Sequence, residues 1–276
     1  MISDIDGKTG KTIVEAILNG ERDAAVLASL ADKRIKASKE TLIKSLQANW
    51  SAQHLFLLKQ QYSAYQFISA QIKETDIEVE KQMQNLTASL QEGELPPINL
   101  DHPRKRSTRK NTVPFNATAH LHALLGTDIT RIPGISEVSA LEIISEIGTD
   151  MNRWPTENHF ASWLGIVPNT KKSGGKIISN KIMKKKHRAG QALRIAASTL
   201  YHSKSELGDF FRRKQAKGGP SKAILATATK IAISIYMMIK NKTPYQSEKM
   251  KIAQDKFKEA QIRKLKARLA QLKSAA

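Results

Sequence analysis

A mainly α fold is predicted for this chain, and three observations predict it. Leu58, Tyr65, Ile72, Val79 and Leu86 fall seven residues apart, with Ile68, Thr75, Asp76 and Met83 partly filling a second row; such a repeat makes a coiled coil or a long helical hairpin. Further on, apolar residues recur at helical spacing, as in Val138, Leu141, Ile144 and Ile147. Gly, Pro and Asn punctuate these segments at ordinary helix lengths, and 40% apolar residues in a chain of 276 suffice for a real core. The expected architecture is a coiled coil or long hairpin joined to a compact helical domain containing a helix-hairpin-helix-like element.

The first fifty residues read as helices from Thr12 to Leu18, Asp23 to Leu30 and Thr41 to Leu46. Gly7-Lys8-Thr9-Gly10-Lys11-Thr12 imitates a phosphate-binding loop, but Ile5 stands where that motif needs its first glycine. A turn with a helix cap accounts for these residues better. Residues 51–95 form the heptad segment. Its length favours a coiled coil or long helical hairpin over an ordinary surface helix, and self-association is expected rather than a core helix within one chain because Glu74, Glu78, Glu80 and Lys81 crowd the other faces with charge. Residues 96–118 are a basic linker, with five cations between Asp101 and Pro114 and an expectation of mobility.

Residues 119–245 carry the compact domain. Leu121 to Leu125, then Ile132-Pro133-Gly134-Ile135-Ser136, then the Val138 helix reproduce a helix, hydrophobic-Pro-Gly-hydrophobic turn, helix pattern. Such a turn aims free backbone N–H groups at a DNA phosphate, which makes Pro133, Gly134 and Ser136 candidate contacts. Ser136 replaces the usual second glycine and is equally suited to cap the helix; two helices packing without any ligand is the alternative. Thr156 caps a short helix whose Phe160, Trp163 and Leu164 face inward. Ile177 to Ser179 reads as a short extended segment, followed by helices from Gly190 to Leu200, Ser205 to Arg213 and Ala223 to Ile239. Residues 246–276 read as a basic amphipathic tail helix with Ile262, Leu265, Leu269 and Leu272 as its stripe.

Charge and composition narrow the function. Lys+Arg 45 against Asp+Glu 25 gives a net charge of +20, which implies a polyanionic partner, nucleic acid before an acidic membrane. Without cysteine there is no disulfide scaffold, thiolate metal site or cysteine nucleophile. The seven histidines lack metal-ligand spacing, so no metal is expected on this chain. The polar N-terminus has no signal-peptide pattern, and the apolar run from Ala223 to Ile239 carries Lys230 at its middle. No membrane association and a cytoplasmic location are expected.

Chemistry concentrates at Ser173, within Asn169-Thr170-Lys171-Lys172-Ser173-Gly174-Gly175-Lys176. From Lys171 to Arg188 there are eight cations and no acid, among them Lys184, Lys185, Lys186 and Arg188. Gly174 and Gly175 let the backbone approach a ligand closely, and Lys171, Lys172 and Lys176 are suited to hold an anion against the hydroxyl. A serine beside Gly-Gly is also simply a turn, and both accounts stand on these residues alone.

In order along the chain, Ile132-Pro133-Gly134-Ile135, Glu146-Ile147-Gly148-Thr149-Asp150, Phe160-Ala161-Ser162-Trp163-Leu164-Gly165, Pro168-Asn169, Ser173-Gly174-Gly175-Lys176, Leu193-Arg194 and Leu207-Gly208-Asp209-Phe210-Phe211-Arg212-Arg213 resemble the C-terminal part of the DEDD insertion-sequence transposases, the bridge-RNA-guided recombinases. The resemblance, from about Ser3 to Tyr245, implies an RNase H-like domain with a four-acid metal site, a coiled-coil insertion, and a helical domain with a nucleophilic serine. That serine carries over to Ser173, and Arg194 joins the candidate nucleic-acid contacts. The first domain is expected to be largely missing, residues 1–50 being a helical remnant that follows it, so the acids are not carried onto Asp4 or Asp6. No cofactor is expected on this chain alone; Mg is expected only with an intact RNase H-like domain. The implied function is DNA transposition, with DNA and a guide RNA as partners, a homo-oligomer through the coiled coil, and inactivity alone. The alternative is a non-catalytic DNA- or RNA-binding remnant that regulates intact transposase.

Overall fold

The computed structural model describes residues 4–88, 112–182 and 187–247, with Glu259, Ile262, Arg263 and Lys266 of the tail; for residues 169–172, 177 and 180–182 it describes the backbone alone. Among the described residues the fold is mainly α, with ten α-helices and one two-stranded sheet. It divides into two units, Met1–Ile77 and Glu78–Ala276.

In the first unit α1 (Lys8–Leu18), α2 (Ala24–Ser29) and α3 (Lys39–Leu46) are short helices. Asp23 and Ser38 cap the second and third by accepting from the N–H of Ala25 and Thr41. Ile13, Ile17 and Leu27 form a small core, with Leu46, Trp50, Leu55 and Leu58 packed against it. The residues that imitate a phosphate loop are the first turns of α1, whose N-cap, Gly7, makes no side-chain cap. Lys11 pairs with Asp6 at 3.0 Å, Tyr65 donates to Asp6, and Thr9 Oγ1 accepts from the N–H of Asp32.

The heptad segment is one continuous helix, α4 (Ala52–Ala88), so the chain makes no hairpin between these residues. The heptad row is not uniform. Leu58 packs on the first unit's core, and Val79 and Met83 pack into the core of the second. Phe67, Ile68, Ile72 and Ile77 are each more than half exposed.

In the second unit α5 (Ala117–Leu125) and α6 (Glu137–Ile147) flank the Pro-Gly turn. Then come α7 (Glu157–Trp163), strands β1 (Pro168–Ser173) and β2 (Lys176–Ile182), α8 (Arg188–Ser198), α9 (Glu206–Gly218) and α10 (Pro220–Asn241). The helix ends follow local chemistry. Asn116, Ser136, Thr156 and Ser205 each accept a backbone N–H at their helix starts, and Pro220 occupies the first turn of α10, where its missing N–H costs nothing. α10 lies at the centre: Ala228, Ile231, Ala232 and Ile235 are fully buried, and α7, α8 and α9 pack around it. Buried Tyr236 donates to the Trp154 carbonyl at 2.9 Å, satisfying its hydroxyl in a cluster with Phe160. By length and hydropathy α10 passes as a membrane span, but half of that window is buried inside the fold. This core fixes the ends of α7 and α8, between which the β-hairpin projects.

Candidate nucleic-acid interface

β1 and β2 pair antiparallel, Pro168 opposite Ile182 and Ser173 opposite Lys176, with a register irregularity between Lys171 and Lys172. The connection is two residues long, Gly174 at φ 54° and Gly175 at φ 76°. Positive φ at both central positions is the requirement of a type I′ turn, whose twist matches that of the flanking strands. The expected glycine-rich loop is therefore a tight hairpin. Its Ile177 to Ser179 segment is extended as predicted, while the residues from Pro168 to Ser173 supply the strand that pairs with it. Their Pro, Asn, Thr and Lys composition has no apolar alternation to announce a strand.

Ser173 is thus the last strand residue before the turn. It is exposed, and its hydroxyl makes no hydrogen bond among the described residues. As cross-strand partners, Ser173 and exposed Lys176 present their side chains on the same face, with Cβ atoms ~5 Å apart. Both glycines leave open space at the tip, with nothing within 4 Å of where a Cβ would lie. The backbone of Lys171 and Lys172 lies in β1 beside Ser173, whereas Lys184, Lys185 and Lys186 lie outside the described residues. No Asp or Glu occurs between Glu157 and Glu206, so the hairpin and both its connections are free of acid.

The two candidate arginines differ. Arg188, at the start of α8, is mostly exposed and stands 3.9 Å from Glu146, a surface pair worth little that leaves the guanidinium available. Arg194 is committed to the fold: Nη2 donates to the Gly165 carbonyl at 2.7 Å, and Nε is buried with no partner among the described residues. It anchors the chain leaving α7, at the base of the hairpin.

At the Pro-Gly turn the sequence candidates have internal roles. Ile132 and Ile135 are buried, and Gly134 has φ 92° with its missing Cβ only 2.8 Å from the Ala196 carbonyl on α8. The Ser136 hydroxyl caps α6, accepting from Ser139 N at 3.2 Å. Glu137 stands in the first turn of α6, held by the Thr118 hydroxyl at 2.9 Å. A carboxylate there already complements the positive helix end that a phosphate would use. Close packing on α8 accounts for Gly134, and helix capping for Ser136, while Pro133 is partly exposed.

Among the described residues no group of three His, Asp or Glu could hold a metal ion, so they do not fit a divalent metal site. A second acid-free stretch, with eight cations between Asp209 and Glu248, carries the same one-sided charge and is legible in the sequence on that ground. No curated protein matches the chain. Residues 126–212, from the end of α5 through the Pro-Gly turn and the hairpin into α9, match the Transposase IS116/IS110/IS902 family model, and that match supports a transposition-related function with DNA as partner.

Proposed function

We propose that this chain is a DNA-binding component of an insertion-sequence transposase, and that Ser173 is the nucleophile that cleaves and rejoins DNA in the complete enzyme. One observation carries the reading: an exposed hydroxyl at the tip of a β-hairpin, paired across the turn with Lys176 and carried on a stretch of chain without Asp or Glu. In the reaction the Ser173 Oγ–P bond forms and the P–O bond to a deoxyribose breaks. The serine proton leaves to a base, and the released sugar hydroxyl takes up a proton. The phosphoserine bond conserves the energy for rejoining, and Lys176 offsets charge on the non-bridging oxygens. A serine hydroxyl is a weak nucleophile until activated, and the described residues place no activating hydrogen bond on it; activation comes from another domain or protein. A guide RNA, and self-association through the exposed face of α4, belong to the same proposal.

A non-catalytic chain that binds DNA or RNA and regulates intact transposase is the second reading, favoured by the missing metal-binding cluster among the described residues. The experiment that separates them supplies an RNase H-like domain in trans or by fusion, with magnesium and target DNA, traps the protein–DNA adduct and maps it by mass spectrometry. An adduct at Ser173 that Ser173→Ala abolishes is expected. An adduct that survives this substitution, or that maps to Ser136 or Ser179, overturns the assignment.

A further inference from the structure

α9 and α10 hold a cluster of cations that the hairpin does not explain. Phe210, Arg213, Lys214 and Lys217 fall at i, i+3, i+4 and i+7, one face of α9. Across from that face, Lys230 interrupts the apolar run of α10 and lays its ammonium 4.8 Å from the Phe210 ring centroid, while the Lys214 ammonium lies 5.4 Å from the same centroid. Two like charges therefore share one aromatic ring. Lys230 is half-buried and α10 contains no acid; the acids of α9, Glu206 and Asp209, stand in its first turn, where Asp209 pairs with Arg212. Burial pushes its pKa down, and the charges of Arg213 and Lys214 push it further the same way. For the fold alone this is an unfavourable place for an ammonium, since a half-buried charge among like charges loses hydration and gains only the ring. An anion bound between the helices reverses that balance.

We infer that Phe210, Arg213, Lys214 and Lys230 form a second site, on α9 and α10, that holds the phosphodiester backbone of a nucleic acid. The inference rests on the reading of the chain as a nucleic-acid-binding protein but does not depend on the chemistry of Ser173. Phe210 gives the ammoniums a fixed, partly dehydrated platform, so that a phosphate meets two preplaced charges. Exposed Lys217 and Lys222 extend the positive surface beside it. Lysine reads charge rather than base edges, so the site binds with little sequence preference. The contrasting account is that the lysine stems merely cover an apolar ring.

The test uses the full chain with two probes, a 30-base-pair DNA duplex and an RNA stem-loop, and follows fluorescence anisotropy against salt. Lys214→Gln with Lys230→Met is expected to weaken binding at least about tenfold at 0.1 M salt and to flatten the logarithmic salt slope by roughly two. Melting temperature should stay level or rise, because methionine keeps the stem and removes the charge. The probe that loses affinity identifies whether the site takes DNA or RNA. If this variant fails to fold, Lys214→Gln with Lys217→Gln, both on the exposed face of α9, is expected to flatten the slope in the same way. Unchanged slopes on both probes overturn the site. A slope that falls for Lys176→Gln but not for the α9–α10 variant removes this site and leaves the hairpin reading intact. A slope that falls for the α9–α10 variant while no Ser173 adduct forms does the reverse.

Discussion

The missing Cβ of Gly134 and the carbonyl of Ala196 face each other at 2.8 Å, closer than a real Cβ tolerates against backbone. Gly134 also sits at φ 92°, where an L side chain is strained. The turn between α5 and α6 is therefore seated directly on α8, the helix that leaves the hairpin. Gly134→Ala is expected to destabilise the protein by about 2 kcal/mol or more, through strain and displacement together. Chemical denaturation would measure it, and an unchanged midpoint would mean that the turn is not seated on α8.

The hairpin tip separates backbone conformation from packing, because nothing lies near either glycine. Gly174→Asn should be tolerated, since Asn-Gly favours a type I′ turn, whereas Gly174→Val should disrupt the turn at a local cost of about 1–3 kcal/mol. Hydrogen exchange of the β1 and β2 amides reads this directly. Global melting should move little in either variant, and a large fall would show that the hairpin is part of the core.

Positions of the heptad row should behave differently. Ile68→Asp with Ile72→Asp, on the exposed side of α4, should lower the oligomeric mass in sedimentation while leaving the melting temperature within a few degrees. Met83→Ala, which empties a buried site, should cost about 2 kcal/mol or more. Unchanged mass in a folded Ile68/Ile72 variant would remove this face as the self-association surface.

Alkaline stability should report Tyr245. Burial, then the nearby charge of Glu206, pushes its phenol from 10.0 up to about 12. The folded state thus keeps the proton over a range where the unfolded chain releases it. The sign follows: the contribution is complete below pH 10.0 and is lost as pH rises to about 12. Tyr245→Phe should flatten the loss of stability across that window. An identical alkaline profile would show that the phenol is not perturbed.

Much of the helical plan was legible in the sequence because its determinants are local. The Thr156 cap, the Ser136 cap available as an alternative to phosphate contact, and the periodic apolar residues of α6 and α10 lie within a turn or two of the groups they govern. The charge imbalance, and Ser173 as a hydroxyl within it, were equally visible; the exposure of that hydroxyl came from the fold. Relationships that cross the chain were not. Pro168 to Ser173 became a strand because the two glycines fold it back onto β2, a pairing that its own residues do not encode. Ile72 and Val79 look alike in a seven-residue repeat, yet only Val79 meets a core, since burial depends on what the fold brings against each turn of helix. Gly134 against Ala196, Arg194 on the Gly165 carbonyl, and Lys230 sharing the Phe210 ring with Lys214 join residues 20 or more positions apart in at least one contact each. Spacing and composition describe neighbours along the chain. Which distant groups share a ring or a carbonyl was decided by packing the helices around α10.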